Sequence, residues 1–143
     1  MSIRAMIAED ELMARKELLY LLQEEEDVDI LPHAETGEQL IELFMEYRPD
    51  VIFLDVEMPG LNGIEAARYI LKKGEPKVPL FVFTTAYDEY AIDAFDVEAV
   101  DYLLKPYDEA RFQRTMSRIR KSLATNGKVR RTEKKQDAAV PKL

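Results

Sequence analysis

Three observations predict an α/β fold built on a doubly wound, five-stranded parallel sheet. Short apolar runs alternate along the chain with longer segments of helical spacing. The runs Val51-Ile52-Phe53-Leu54 and Leu80-Phe81-Val82-Phe83 are apolar at every position, as strands covered on both faces require. Several runs then end in residues that carry chemistry, which is where open α/β sheets place their sites.

The first strand is expected at about 3–8. A helix over about 11–25 follows, with Leu12, Arg15, Leu18, Leu19 and Leu22 at helical spacing. A weak strand at 29–34 precedes Thr36-Gly37-Glu38-Gln39, a capping-box start with Thr36 as N-cap. That second helix runs to about 48, where Pro49 stops it. The third strand is 51–55. Asn62-Gly63 leads into a third helix ending near 73, and Gly74 with Pro76 and Pro79 forms the next turn. The fourth strand is 80–84, a short helix covers 88–95, the fifth strand is 100–104, and the fifth helix runs from 108 to 123. Right-handed crossovers give the flavodoxin-like order 2-1-3-4-5 with five helices. That order makes the first and third strands neighbours, so Asp10 and Asp55 should sit side by side.

Composition narrows the chemistry. A chain of 143 residues suits one domain with a full core. It has no cysteine, which excludes disulfides, thiolate catalysis and cysteine-based zinc sites. The single histidine, His33, has no metal-spaced partner and reads as a loop or strand-edge residue. No signal-peptide core and no membrane-length apolar run is present, so a cytoplasmic protein without membrane contact is expected. Residues 1–119 hold 12 of the Lys+Arg and 26 of the Asp+Glu, a net of −14. Residues 120–143 hold 8 and 2, a net of +6. The acidic body argues against nucleic-acid binding by the domain at 1–123. The segment 124–143 reads as a basic linker or disordered tail, a solvated connection more simply than a contact for nucleic acid or anionic lipid.

Four strand ends carry the candidate site: Glu9-Asp10, Asp55, Thr84-Thr85 and Lys105. Any one acid there could be a helix cap; all four ends together make a coherent set. Clustered carboxylates favour a hard divalent cation, and Mg²⁺ prefers oxygen ligands and phosphate oxygens. A carboxylate can accept a phosphoryl group, whose charge an ammonium and a hydroxyl stabilise. Neighbouring strand residues face opposite ways, so only one of Thr84 and Thr85 can serve.

The joint pattern of Glu9-Asp10, Asp55 with Met58-Pro59-Gly60, Thr85-Ala86 and Lys105-Pro106 resembles a bacterial response-regulator receiver domain over about residues 1–123. The resemblance implies Asp55 as phosphoacceptor of a sensor histidine kinase. Asp10, Asp55 and the Glu57 backbone carbonyl would hold Mg²⁺, and Glu9 would assist through water. Thr85 and Lys105 would contact the phosphoryl group, and Tyr102 matches the family's aromatic switch position, with a plain core aromatic as the other reading. It also implies a cis Lys105–Pro106 bond, which the X-Pro frequency of about 5–6% would not suggest by itself. The stretch Ala86 to Pro106 is similar to receivers that precede a LytTR-type DNA-binding domain. Such a domain would not be a classical enzyme, although it would support its own phosphoryl transfer and autodephosphorylation. It would switch the surface of the fourth helix, fifth strand and fifth helix, form a phosphorylation-dependent homodimer in which surface charges including Asp96, Glu98, Asp101, Arg111 and Arg118 offer complementary signs, and act on DNA only through an output domain.

Other readings remain at this point. A stand-alone receiver would signal by protein contact alone, and an interaction module of receiver fold would need no phosphorylation. A haloacid-dehalogenase-like phosphatase also pairs a nucleophilic Asp with an acid two residues on, as Asp55 and Glu57 do. Pro59 stands where that family usually has a hydroxyl residue.

Overall fold

The computed structural model describes residues 2–74 and 77–136, with side chains described as far as 125. The chain forms β1 (Ile3–Ala8), α1 (Leu12–Gln23), β2 (Val28–Ile30), α2 (Gly37–Tyr47), β3 (Val51–Asp55) and α3 (Gly63–Lys73). β4 (Leu80–Thr85), a 3₁₀ turn (Asp88–Tyr90), α4 (Ala91–Asp96), β5 (Asp101–Leu104) and α5 (Glu109–Gln136) follow. All pairings are parallel and the order is β2-β1-β3-β4-β5, as the alternation of elements predicts.

Each central strand alternates between two cores. Ile52 and Leu54 join Met6, Phe81 and Phe83 beneath α2 and α3, where Leu40, Phe44, Ile64 and Ile70 close the layer. Val51 and Phe53 point the other way, with Ile7 and Val82, onto Leu18 and Leu22 of α1 and Phe112, Met116 and Ile119 of α5. A run that is apolar at every position is therefore two period-2 stripes facing two helical layers. Phe53 stacks on Phe112 with centroids 6.2 Å apart, joining the central strand to α5.

The helix ends follow local chemistry. Thr36 Oγ1 accepts a hydrogen bond from Gln39 N at 3.0 Å, as expected of the N-cap. Gln39 Oε1, however, accepts from Glu35 N rather than Thr36 N, so the reciprocal half lies one residue earlier. The complete capping box belongs to α3, where Asn62 and Glu65 exchange bonds of 2.9 and 3.0 Å. α2 ends at Arg48 with φ 47, because the following Pro49 disfavours the right-handed conformation there.

Two elements depart from expectation. β2 is three residues long instead of spanning 29–34. Leu31 N still donates to Ala5 O, but the next bond to β1 comes from Ala34 N to Ile7 O, three residues on instead of two, so an extra residue beside Pro32 breaks the register before the Ala8–Ala34 bridge. The α5 backbone continues to Gln136, well past 123. Gly127 stands in the segment read as a linker, but one glycine costs a helix only about 1 kcal/mol, and the Lys, Arg, Glu and Gln that follow are good helix formers. The rest of the segment read as a tail, 137–143, lies outside the described residues. Near the α5 midpoint, Arg120 holds Asp27 through two bonds of 2.9 and 2.8 Å and Glu25 through one of 2.7 Å, fixing the helix to the α1–β2 turn.

Candidate functional site

The carboxyl ends of β1, β3, β4 and β5 converge on a cleft of about 230 Å³ lined by Glu9, Asp10, Asp55, Glu57, Thr85 and Lys105 among others. Adjacent placement of β1 and β3 brings Glu9, Asp10 and Asp55 together, with one carboxylate oxygen from each within 4.8 Å of the others. Asp55 is 6% exposed and Glu9 3%, whereas Asp10 is open to solvent. Lys105 Nζ donates to Glu9 Oε1 at 2.9 Å and stands 3.6 Å from Asp55 Oδ2. Asp55 Oδ1 accepts from the Glu57 N–H at 3.1 Å, and Glu9 Oε2 from the Glu11 N–H at 3.2 Å.

The close fit of backbone at this corner depends on Gly63. A Cβ there would lie 2.4 Å from the Asp55 carbonyl oxygen, so only glycine lets α3 begin against the end of β3. Gly60, with φ +78, turns the loop between them.

Burial raises the Asp55 pKa to about 7, and the Glu9 charge adds to the rise; the Lys105 ammonium opposes both. Burial works against the Lys105 charge, yet the hydrogen bond to Glu9 and the Asp55 charge outweigh it and hold the ammonium above its usual range. Glu9 and Asp55 thus share one ammonium, with the Asp10 carboxylate beside them. An all-oxygen, anionic donor set of this kind fits a hard divalent cation such as Mg²⁺ and offers nothing to a soft one.

β4 resolves the choice between its two threonines. Thr85 lines the cleft and its Oγ1 accepts from Tyr87 N at 3.2 Å, while Thr84 lines a separate groove against α1 and Tyr107. Tyr102 is half-buried against the α2–α3 core, and its hydroxyl donates to the Tyr87 carbonyl. It therefore touches the same short segment that Thr85 does. The Lys105–Pro106 bond is cis. His33 is an exposed loop residue, its Nε2 2.9 Å from Glu35 Oε2.

This arrangement has a counterpart among known proteins. Residues 5–117 match the family described as response regulator receiver domain. The chain belongs to the response regulator receiver family. This receiver is 55% identical over 131 residues to the sensory transduction protein LytT of Oceanobacillus iheyensis, covering 92% of this chain and 53% of that protein. It is 42% identical over 118 residues to the transcriptional regulatory protein BtsR of Escherichia coli, covering 82% and 48%. It thus spans about half the length of the curated relatives it matches. Among solved structures, the response regulatory domain of mrkE from Klebsiella pneumoniae is similar with a TM-score of 0.79 at 32% identity, covering 86% of this chain and 99% of that one. The likeness to LytT agrees with the resemblance carried by Ala86 to Pro106.

Two features of the receiver escape sequence reading. Tyr90 Oη donates to Glu57 Oε2 at 2.8 Å across the cleft mouth, a pairing between loops that no spacing reveals. Asp101, Arg111 and Arg118 read as surface charges available to a partner. Instead Asp101 is buried, held by Arg111 at 2.7 and 2.9 Å, Thr115 at 2.7 Å and Arg118 at 3.0 Å. This face also exposes large apolar groups, Ile92 at 75%, Phe95 at 82%, and Leu104, beside the exposed charges of Asp96 and Glu98. Among the described residues, no helix is long and apolar enough to cross a membrane.

Proposed function

We propose that this receiver is a phosphorylation switch of a two-component pathway, with Asp55 taking a phosphoryl group from the phosphohistidine of a sensor kinase. The observation that carries this reading is the meeting of Asp55 with Glu9, Asp10, Thr85 and Lys105 in one cleft, although four separate segments of chain supply them. In the transfer, an Asp55 carboxylate oxygen forms the new bond to phosphorus as the bond to the kinase's histidine nitrogen breaks. Asp55 reacts as the carboxylate, a form that its burial disfavours and that the Lys105 ammonium favours. The Lys105 ammonium, 3.6 Å away, turns from Glu9 toward the phosphoryl oxygens, and the Thr85 hydroxyl donates to one of them. Asp10, Asp55 and the Glu57 carbonyl would hold Mg²⁺, with Glu9 acting through water. That cation supplies neutralisation of the carboxylates and of the phosphoryl oxygens.

The phosphorylated state is read out through Thr85, the Tyr87 carbonyl and Tyr102, which join the cleft to β5. The switched surface comprises α4, β5 and α5, and it dimerises through the exposed Ile92 and Phe95 rather than through Asp101 and its arginines. The receiver comprises 1–123, and 124–143 connects it to an output domain that binds DNA, in the cytoplasm. The match to the transcriptional regulator BtsR supports transcription control. Incubation with Mg²⁺ and acetyl phosphate tests the reading. Acid-labile phosphate should appear on the wild type and be absent from Asp55→Asn; full labelling of that variant would move the phosphoacceptor elsewhere.

A further inference from the structure

One charged side chain at the mouth of the cleft takes no part in the contacts among Glu9, Asp55 and Lys105. Glu57 stands two residues after Asp55, and its N–H is already committed to Asp55 Oδ1 at 3.1 Å. Its side chain is exposed, yet its Oε2 accepts a hydrogen bond from Tyr90 Oη at 2.8 Å. Tyr90 ends the 3₁₀ turn that leads into α4, and its ring packs, partly buried, against the core beneath α2 and α3. The ring is seated while the hydroxyl reaches outward.

A carboxylate in this position has two opposed effects if it turns inward. It adds a fourth negative charge to Glu9, Asp10 and Asp55, which strengthens attraction for a divalent cation. It also repels an anionic phosphodonor and competes with a phosphoryl oxygen for that cation. We infer that the Tyr90 hydroxyl is a positioning group that holds the Glu57 carboxylate out of the phosphorylation cleft and so keeps the cleft open to the phosphoryl group. The inference rests on the proposed phosphoacceptor role of Asp55 and adds regulation to it. Tyr90 belongs to the segment that enters α4, so the placement of α4 sets whether Glu57 is held out.

The test uses Tyr90→Phe and Glu57→Gln, singly and combined, in the full chain. Glu57→Gln removes the charge but keeps an acceptor for Tyr90. Mg²⁺ affinity is read by calorimetry, and the rate of Asp55 labelling by acetyl phosphate at saturating Mg²⁺. Tyr90→Phe should bind Mg²⁺ about three-fold more tightly and take up phosphoryl about three- to ten-fold more slowly. Both effects should vanish in the Glu57→Gln background. A merely structural role would weaken both readouts together and persist in that background; this pattern, or no change in either readout, overturns the inference. A wild type that binds Mg²⁺ but never labels at Asp55 would sink the phosphoacceptor reading instead. The Mg²⁺ shift of Tyr90→Phe would then still decide whether Tyr90 restrains Glu57.

Discussion

Asp55 is held in the cleft at the expense of its own charge. Its folded pKa, near 7, is raised above the unfolded value of about 3.9, so the cation-free protein loses stability as pH rises from about 4 to 7 and carries the full cost above 7. Asp55→Asn should therefore stabilise the cation-free protein on the order of 2 kcal/mol at pH 8. The gain should be constant above pH 7 and shrink steadily as pH falls from 7 toward about 4, and thermal melts across pH 5–9 would show it. A gain independent of pH would mean that burial of the charge is not its source. A second comparison separates the neighbouring acids. Asp10→Asn should weaken Mg²⁺ binding more than Glu9→Gln, because Asp10 is open to a direct ligand role while Glu9 is committed to Lys105. Equal affinities by calorimetry would refute the ranking. At this scale much was legible in the sequence. Strand alternation alone requires one of Thr84 and Thr85 to face away, and the resemblance picks Thr85, which lines the cleft. Tyr90 was not legible, because the bond to Glu57 depends on how two loops sit across the mouth.

Between elements, steric fit and buried charge dominate. Glycine is a poor helix former, so propensity alone would have Gly63→Ala stabilise α3 by about 1 kcal/mol. The contact of 2.4 Å that a Cβ would make with the Asp55 carbonyl reverses the sign. Gly63→Ala should cost about 2 kcal/mol in denaturant unfolding and slow labelling at Asp55, since backbone at both ends of the contact must shift. Asp101 ties β5 to α5 in a comparable way. Burial opposes its charge, but Arg111 and Thr115 outweigh that and lower its pKa. Its contribution is therefore present above the unfolded pKa of about 3.9 and is lost as pH falls through the lower folded value. Asp101→Ala should cost about 2 kcal/mol at pH 7, less than a fully buried pair because Arg111 and Arg118 reach water. The difference from wild type should narrow below pH 4; a constant difference would point to packing instead. Neither feature was legible in advance. Asp101, Arg111 and Arg118 read as free charges because which side of β5 faces α5 is decided by the sheet, not by spacing. The α3 capping box could have been read, since Asn62 and Glu65 stand at the right interval.

On the scale of the whole molecule, fold class and strand order followed from two doubly apolar strands and the alternation around them. What composition did not disclose is an apolar face with Ile92 and Phe95 in solvent, because their helix is too short to show its orientation. If that face is the dimer contact, a beryllofluoride phosphoryl mimic should double the sedimenting mass of the wild type and leave Phe95→Asp monomeric. Dimers that persist in Phe95→Asp would place the contact elsewhere, and a wild type that stays monomeric would favour signalling by a lone receiver. The length of α5 was also hidden, by a glycine that the helix tolerates. Its consequence is mechanical. Arg120 bolts α5 to the α1–β2 turn, so the backbone from there to Gln136 is a cantilever with its fulcrum on the far side of the sheet from α4. At 1.5 Å per residue the arm is about 24 Å long, and a tilt of about 10° at the fulcrum sweeps its tip by about 4 Å. Any tilt of α5 about Arg120 would thus be magnified along the arm.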